Sequence, residues 1–200
     1  DHDNARLRRA TTLTQLRRYR EALEDYDKLV AKHPDDPHAY AGRAFARQMI
    51  GDEEFSEADF DQLRQIAPEQ SEETLIQSLH AKVSWFESQE RYEDAVETAD
   101  QIIEIAPEQP LGYRLRAWIL WCTEQYVEAL DDYARLLEMR PGDPSLLNAR
   151  GQVLAEMGEC RSALDDLDVA VEKGRTLGET QLLAFALNGQ SLALAGIGRP

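Results

Sequence analysis

A sixteen-residue pattern occurs twice in the chain and constrains the fold more than any other feature. It reads YREALEDYDKLVAKHP at 19–34 and YVEALDDYARLLEMRP at 126–141. In the second copy Ala129, Tyr133 and Leu136 stand at i, i+4 and i+7, which places them on one stripe of a helix. The closing proline ends the helix, because proline cannot continue it. The pattern therefore predicts amphipathic helices whose apolar stripes must be covered by neighbouring helices.

The closing prolines give the period of the pattern. Pro34 and Pro68 are 34 residues apart, Pro68 and Pro107 are 39 apart, and Pro107 and Pro141 are again 34 apart. A period in this range indicates stacked repeats. Each period holds two helix-length segments and no strand-like alternation. We therefore predict one all-α array over 1–200, with repeats at about 3–36, 37–70, 71–109, 110–143 and 144–177 and a half repeat at 178–200.

Two irregularities interrupt the period. The third repeat has about five extra residues in 69–75, which lie either in the connection or in an extra helical turn. The segment KGRTLGE at 173–179 predicts a longer connection in place of the usual proline. The chain begins at Asp1 without a methionine and ends after a half repeat, so we expect a fragment of a longer array.

Charge and composition exclude several classes of partner. The formal net charge is −16, whereas nucleic acids and anionic membrane surfaces attract basic proteins. No apolar run approaches the ~20 residues of a membrane span. A protein or peptide partner that is basic or apolar is the compatible expectation. Cys122 and Cys160 fall in different repeats, which favours a reducing compartment and a cytoplasmic location.

The sequence predicts no catalysis, cofactor or metal. His33, Asp35, Asp36 and His38 cluster in a proline-flanked turn, where a solvated turn is favoured over a metal site. No glycine-rich phosphate loop or nucleophile motif is present. The acidic residues of 52–61 and 165–168 are expected on the wetted faces of helices.

The repeated residues resemble those of the tetratricopeptide repeat family. The family's alanine, aromatic residue and proline stand at Ala22, Tyr26 and Pro34, and again at Ala129, Tyr133 and Pro141. Small residues also match where two helices cross, at Ala10, Ala44, Ala117, Gly151 and Gly189. Arg43 and Arg116 depart from the family by replacing a leucine. The resemblance implies a right-handed α-solenoid of about five and a half helix-turn-helix repeats, with the first helices lining a concave groove.

The resemblance also implies which side chains face that groove. In the fourth repeat Tyr113, Ala117 and Leu120 form the core stripe, and the next stripe is Arg114, Trp118 and Trp121. The alternative is that the tryptophans belong to the core, and Trp85, offset by one position, is expected there. The equivalent positions and their neighbours give the full set of groove candidates: Phe45, Met49, His80, Ser84, Arg114, Trp118, Trp121, Asn148, Gln152 and Gln190.

One family activity is excluded by residue type. Some members hold an acidic chaperone tail with a clamp of lysine, asparagine and arginine side chains. The corresponding positions of the first three repeats are occupied by Leu7, Thr11, Gly42, Gln77 and Ala81. Other groups of three repeats match no better. We therefore do not expect this chain to bind such a tail through that clamp.

The leading functional hypothesis is a non-enzymatic interaction module, a scaffold or adaptor that binds a peptide or partner segment in the groove. A second hypothesis is a structural spacer or oligomerisation arm that self-associates through the C-terminal half repeat. A third is a regulatory region attached to an enzyme that this chain does not contain.

Overall fold

The computed structural model describes residues 2–198, apart from the side chains of residues 53, 54 and 69–71. The described residues contain α-helices and no strands, which confirms the predicted all-α fold class. The helices are α1 (His2–Gln15), α2 (Tyr19–Lys32), α3 (Pro37–Met49), α4 (Glu53–Ile66), α5 (Pro68–Ser88), α6 (Tyr92–Ile105), α7 (Pro110–Cys122), α8 (Tyr126–Met139), α9 (Pro144–Glu156), α10 (Cys160–Leu177) and α11 (Thr180–Ile197).

Prolines and aspartates mark where several first helices begin. Pro37 and Pro144 occupy the first turn of α3 and α9, where the missing N–H would have no intrahelical partner. Asp36 caps α3 by accepting a hydrogen bond from the backbone N–H of His38 at 3.0 Å. Asp143 caps α9 in the same way, with Ser145 N–H at 2.9 Å. These caps satisfy donors that a helix start otherwise leaves unpaired.

Both irregular segments are helical. The extra residues of the third repeat extend α5, which has 21 residues where α7 has 13. The expected connection at 173–179 is wrong, because α10 continues to Leu177 and ends at Gly178 in the left-handed conformation. Gly174 lies inside that helix, where a Cβ atom would stand 3.2 Å from the backbone nitrogen of Leu183. The glycine lets α10 approach the start of α11 closely.

The chain forms two compact units, Asp1–Trp85 and Phe86–Pro200, called here the N-terminal and C-terminal units. The repeated small and aromatic residues form the core of each unit. The N-terminal core includes Ala10, Ala22, Tyr26, Ala44 and Phe60. The C-terminal unit contains one cluster around Ala117, Ala129, Tyr133 and Leu136 and another around Ala163 and Leu167. The repeat boundaries within these units stay a prediction.

Four arginine–aspartate pairs recur at a separation of sixteen residues. Each joins a first helix to the second helix of the same repeat through two hydrogen bonds, as in Arg43–Asp59 at 3.0 and 2.6 Å. The others are Arg9–Asp25, Arg116–Asp132 and Arg150–Asp166. All four carboxylates are buried. The expectation that the acidic residues of 52–61 and 165–168 are all solvated is therefore wrong for Asp59 and Asp166.

Two of these arginines also contact the preceding repeat. Arg43 donates to Asp27 of α2 at 3.1 Å, and Arg116 donates to Asp100 of α6 at 2.5 Å. A planar guanidinium has several donors in a fixed arrangement, so it can hold two carboxylates at once. Each arginine therefore fixes its first helix against two second helices.

The third repeat departs from this arrangement. Its equivalent positions hold Lys82 and Thr98, and the Thr98 hydroxyl donates instead to the backbone oxygen of Asp94 at 2.7 Å. Thr98 is 3% exposed. The buried position therefore tolerates a neutral side chain that finds its partner within its own helix.

Candidate interaction surface

The two tryptophans of α7 lie at the surface of the C-terminal unit. Trp118 is 49% exposed, while Trp121 is half-buried and packs against the core cluster. Their rings meet edge to face, with centroids 5.3 Å apart. The indole N–H of Trp121 donates to Glu156 Oε2 of α9 at 2.7 Å. Trp118 thus presents an aromatic surface, while Trp121 is fixed by packing and by one hydrogen bond.

The polar candidates of the C-terminal unit accompany these rings on the first helices. Arg114 is exposed and lies one turn before Trp118 on α7. The amide of Gln152 donates to Asn148 on α9 at 3.1 Å, and Gln190 on α11 donates to Asp168 at 2.6 Å. We call the surface formed by Arg114, Trp118, Trp121, Asn148 and Gln152 the tryptophan face. Gln190 lies apart from the tryptophans, in a hollow lined by residues of α10 that include Asp168 and Arg175.

The N-terminal unit brings the other four candidates to one cavity. Phe45 and Met49 of α3 and His80 and Ser84 of α5 line a hollow of ≈ 400 Å³, called here the Phe45 cavity. The ring of Tyr19 meets that of Phe45 edge to face at 6.3 Å. The remaining lining residues are Thr14, Gln15, Arg17, Gln77, Ala81 and Trp85. None of the described lining residues carries a carboxylate.

Several lining residues of the Phe45 cavity did not emerge from the sequence pattern, and Trp85, Tyr19 and Arg17 show why. Trp85 is half-buried and lines the cavity, whereas the sequence predicts it in the core. Tyr19 starts α2, a second helix, but lies beside the first helices because it follows the turn directly. Arg17 adopts φ 58° in that turn. The repeat period supplies a signal for this conformation, because Arg17 lies 34 residues before Gly51, which has φ 80° in the equivalent turn.

Glu156 is the corresponding omission on the tryptophan face. It is the exposed last residue of α9 and follows Gln152 by four residues, so it extends the stripe of Asn148 and Gln152 that the sequence pattern stopped one position short of. Its spacing of 35 residues from Trp121, one more than the repeat period, brings the two side chains together. The bond could have been suggested by aligning the repeats.

Side-chain clusters and helix lengths bear on metal binding and on membrane insertion. Among the described residues, no group of three or more His, Cys, Asp or Glu side chains could hold a metal ion. No helix in the described part of the chain is both long and apolar enough to cross a membrane.

Known proteins share the repeat pattern of this chain. The family model described as tetratricopeptide repeat matches residues 7–70 and 86–144, more than half of the chain. The chain therefore belongs to the tetratricopeptide repeat family, which confirms the resemblance drawn from the repeated residues.

Curated relatives are similar over part of their length. A TPR repeat-containing protein of Methanocaldococcus jannaschii is 26% identical over 148 residues, covering 72% of this chain and 26% of the relative. The Hsp70-Hsp90 organizing protein of Triticum aestivum is 34% identical over 77 residues, covering 38% of this chain and 13% of the relative. The chain thus spans about a quarter of the archaeal relative and about an eighth of the wheat one.

Solved structures with a similar fold have more distant sequences. MamA 41-end from Desulfovibrio magneticus RS-1 has a TM-score of 0.56 at 15% identity, covering 88% of this chain and 97% of that one. The TPR2B domain of yeast Sti1, solved in complex with an Hsp70 peptide, has a TM-score of 0.56 at 21% identity, covering 60% and 97%. At these identities the likeness establishes the fold alone.

Proposed function

We propose that the chain is a protein-interaction module, a scaffold or adaptor that binds a segment of a partner through its first helices. Membership of the tetratricopeptide repeat family supports an interaction role. The observation that supports this site most directly is the exposure of Trp118, which is 49% exposed on a helix whose Ala117 and Leu120 are already buried. The Phe45 cavity is a second candidate contact in the N-terminal unit.

The size of the exposed ring makes it a strong anchor. A tryptophan buries 150–250 Å² when fully covered. At ~25 cal/mol per Å², covering the exposed half of Trp118 contributes roughly 2–3 kcal/mol before the costs of association. A rigid aromatic of this kind is typical of the few residues that dominate an interface.

The partner is not proposed to be a chaperone tail held in the family's clamp. The wheat relative is named as an Hsp70-Hsp90 organizing protein, and the Sti1 structure contains an Hsp70 peptide. The residues of this chain at the clamp positions include Leu7, Gly42 and Ala81, which cannot donate side-chain hydrogen bonds to a carboxylate. Any peptide bound here must be recognised by other groups.

Substituting the exposed ring is expected to weaken peptide binding. Peptides would be selected from a random displayed library against the chain and their affinities measured by calorimetry. Trp118→Ala should lower the affinity for a peptide bound at the tryptophan face by about 30-fold, the loss typical of a strong interface anchor. Phe45→Ala should have a similar effect on a peptide bound in the Phe45 cavity.

The chain offers matched controls for both substitutions. Phe55 is 55% exposed on α4 and does not line the cavity, so Phe55→Ala should leave binding unchanged. Val127→Ala, at a 61% exposed position of α8, is the control for Trp118→Ala and should also leave binding unchanged. If no peptide is selected, or if the control variants lose as much affinity as Trp118→Ala and Phe45→Ala, the proposal is wrong.

A second candidate role, self-association, is favoured by the exposed apolar residues of α11. Phe185 and Leu192 are 57% and 46% exposed. They correspond to Leu147 and Leu154 of α9, which are buried and half-buried beside α10. Within the described residues no helix follows α11 to cover these positions. A second copy of the chain, which carries the same apolar face, is the proposed cover.

Charging this face is expected to abolish self-association. Phe185 and Leu192 lie seven residues apart on one side of α11, whereas Leu187 and Leu194 lie about 200° further around the helix. Light scattering over a range of concentrations should show a dimer that Phe185→Glu or Leu192→Glu converts to a monomer, because the new carboxylate would be desolvated in the interface. Leu177→Glu, at an exposed position of α10, should leave the dimer intact. A wild-type chain that is monomeric throughout would exclude this role.

A further inference from the structure

The exposed part of the tryptophan face is flanked by negative charge. Glu156 Oε2 accepts the indole N–H of Trp121, and the side chain is exposed to solvent. Trp121 and Glu156 each lie in the last turn of their helices, α7 and α9. The aligned peptide dipoles of a helix place partial negative charge at its C-terminus, which favours a cation. Both helix ends and the carboxylate therefore act in the same direction.

Other carboxylates act on the same end of α7. The pKa of Cys122, the last residue of α7, is raised by burial and then by the charges of Glu87 and Glu156. The pKa of Tyr126 is raised by burial and then by Glu156 and Glu124. These shifts place three carboxylates within electrostatic reach of the helix end that carries the tryptophans.

Arginine side chains cover aromatic rings elsewhere in the chain. Arg43 lies over Tyr40 at 5.4 Å, Arg47 over Phe55 at 5.5 Å and Arg116 over Tyr113 at 5.9 Å from the ring centroids. In the described part of the chain no arginine or lysine lies over Trp118. Among the described aromatic rings on the first helices of the C-terminal unit, Trp118 is second in exposure to Phe185. Trp118 therefore keeps an aromatic surface on which a partner's cation can lie.

A cationic side chain fits these features better than the alternatives. An indole face attracts cations more strongly than the other aromatic rings do. An anionic group would be repelled by Glu156, and a purely apolar group would desolvate that carboxylate without pairing it. Arg114 lies one turn before Trp118, so its positive charge directs an incoming cation toward the C-terminal end of α7.

We propose that the tryptophan face recognises an arginine side chain in a basic partner segment, with the guanidinium lying over Trp118 and paired with Glu156. This inference rests on the proposed function, because it names the chemistry of the partner at the same face. The net charge of −16 supports it by attracting basic segments over a distance. The Phe45 cavity, whose described lining includes Arg17 and no carboxylate, is not part of this site.

The test uses N-acetyl-L-argininamide and its uncharged isostere N-acetyl-L-citrullinamide as probes. The chain contains three tryptophans, so its indole N–H groups give three signals in a ¹H–¹⁵N spectrum. Argininamide should shift the Trp118 and Trp121 signals saturably and leave Trp85, in the other unit, unchanged. Citrullinamide should bind about two- to fivefold more weakly, the factor expected when a cation over an exposed ring is lost.

Glu156→Gln gives the matching change in the protein. Glutamine keeps an oxygen that can accept the Trp121 N–H, so the substitution removes the charge and retains the bond. Argininamide affinity should fall by about two- to fivefold, because the exposed ion pair between Glu156 and the guanidinium is lost. Glu128→Gln, at an exposed position on α8, should leave the affinity unchanged. Equal binding of the two probes, no response to either, or wild-type affinity in Glu156→Gln would overturn the inference.

The outcomes separate this inference from the proposed function. If library-selected peptides lose affinity in Trp118→Ala but the two probes bind equally, the interaction role stands and the arginine site is wrong. If argininamide binds selectively while no peptide is selected, the charge preference stands and the proposed function at this face is wrong.

Discussion

Asp132→Ala is expected to lower the free energy of unfolding by about 3 kcal/mol, because it removes one member of a buried ion pair. Asp132 is 2% exposed and accepts hydrogen bonds from Arg116 at 2.9 and 2.6 Å. Alanine would leave the largely buried guanidinium with Asp100 as its remaining carboxylate partner. Urea unfolding followed by tryptophan fluorescence measures the loss, since Trp118 and Trp121 lie on the same helix as Arg116.

Burial and ion pairing have opposing effects on the pKa values of Arg116 and Asp132. The Asp132 carboxylate raises the pKa of Arg116 above its ordinary value, against the effect of burial. Burial raises the pKa of Asp132, and the hydrogen bonds from Arg116 oppose that rise. Burial therefore favours the neutral form of Asp132, whereas the hydrogen bonds from Arg116 favour its charged form. We take the pair as ionised, because both carboxylate oxygens accept short hydrogen bonds from one guanidinium.

Two variants separate the buried pair from a general effect of charge. Asp131 is the exposed neighbour on α8, and Asp131→Ala should change the stability by less than about 0.5 kcal/mol. The double variant Arg116→Leu with Asp132→Leu should lose much less than the two single substitutions together, since it leaves neither member of this pair buried alone. Equal urea midpoints for Asp132→Ala and Asp131→Ala would contradict the interpretation.

Leu167→Ala is expected to cost about 3 kcal/mol of stability through the cavity it leaves. Leu167 is fully buried on α10 between two glycines of neighbouring first helices. A Cβ atom on Gly151 would stand 2.7 Å from Leu167 Cγ, and one on Gly189 2.9 Å from its Cδ2. The leucine therefore fills the space that the two glycines leave, and α9 and α11 both lose contacts when it is truncated.

The same helix supplies the control for this substitution. Leu177 is 62% exposed at the end of α10, so Leu177→Ala should change the urea midpoint little. Circular dichroism measures the unfolding of helices directly and serves for both variants. If Leu167→Ala unfolds at the wild-type midpoint, the close packing of Leu167 between Gly151 and Gly189 does not stabilise the chain as described.

The fold was predictable because its rules are local and repeated. The spacing of Ala129, Tyr133 and Leu136 predicts a helical stripe, and Pro141 predicts the end of the helix. Repetition of the same set elsewhere then implies stacking. Where the repeat changes, the sequence was ambiguous: no local signal decided whether the extra residues of 69–75 extended a connection or a helix, and α5 shows that they extend the helix.

The buried aspartates were missed because a run of charges usually marks a solvated face. Asp59 and Asp166 each lie among other acidic residues, and hydropathy alone cannot separate them from their neighbours. The signal was their fixed distance of sixteen residues from Arg43 and Arg150. Arg43, which the sequence marks as a departure from the family's leucine, is the partner of the buried Asp59.

The candidate site was only partly predictable. Helical spacing groups Trp118 with Arg114 and Trp121 on one stripe, but it does not decide exposure, since an inner helix meets neighbours on several sides. The Phe45 cavity depends on how α1, α3 and α5 pack and on the turn at Arg17, neither of which a single-helix pattern contains. Whether these surfaces bind a partner stays a prediction.

The paired aspartates have a consequence for the response of the chain to ionic strength. Salt screens exposed charges strongly and buried pairs much less. Four of the carboxylates are sequestered with arginines inside the repeats, while most others face solvent. Added salt should therefore weaken the binding of a basic partner while the repeats stay folded. The salt concentration can then change partner binding without changing the fold.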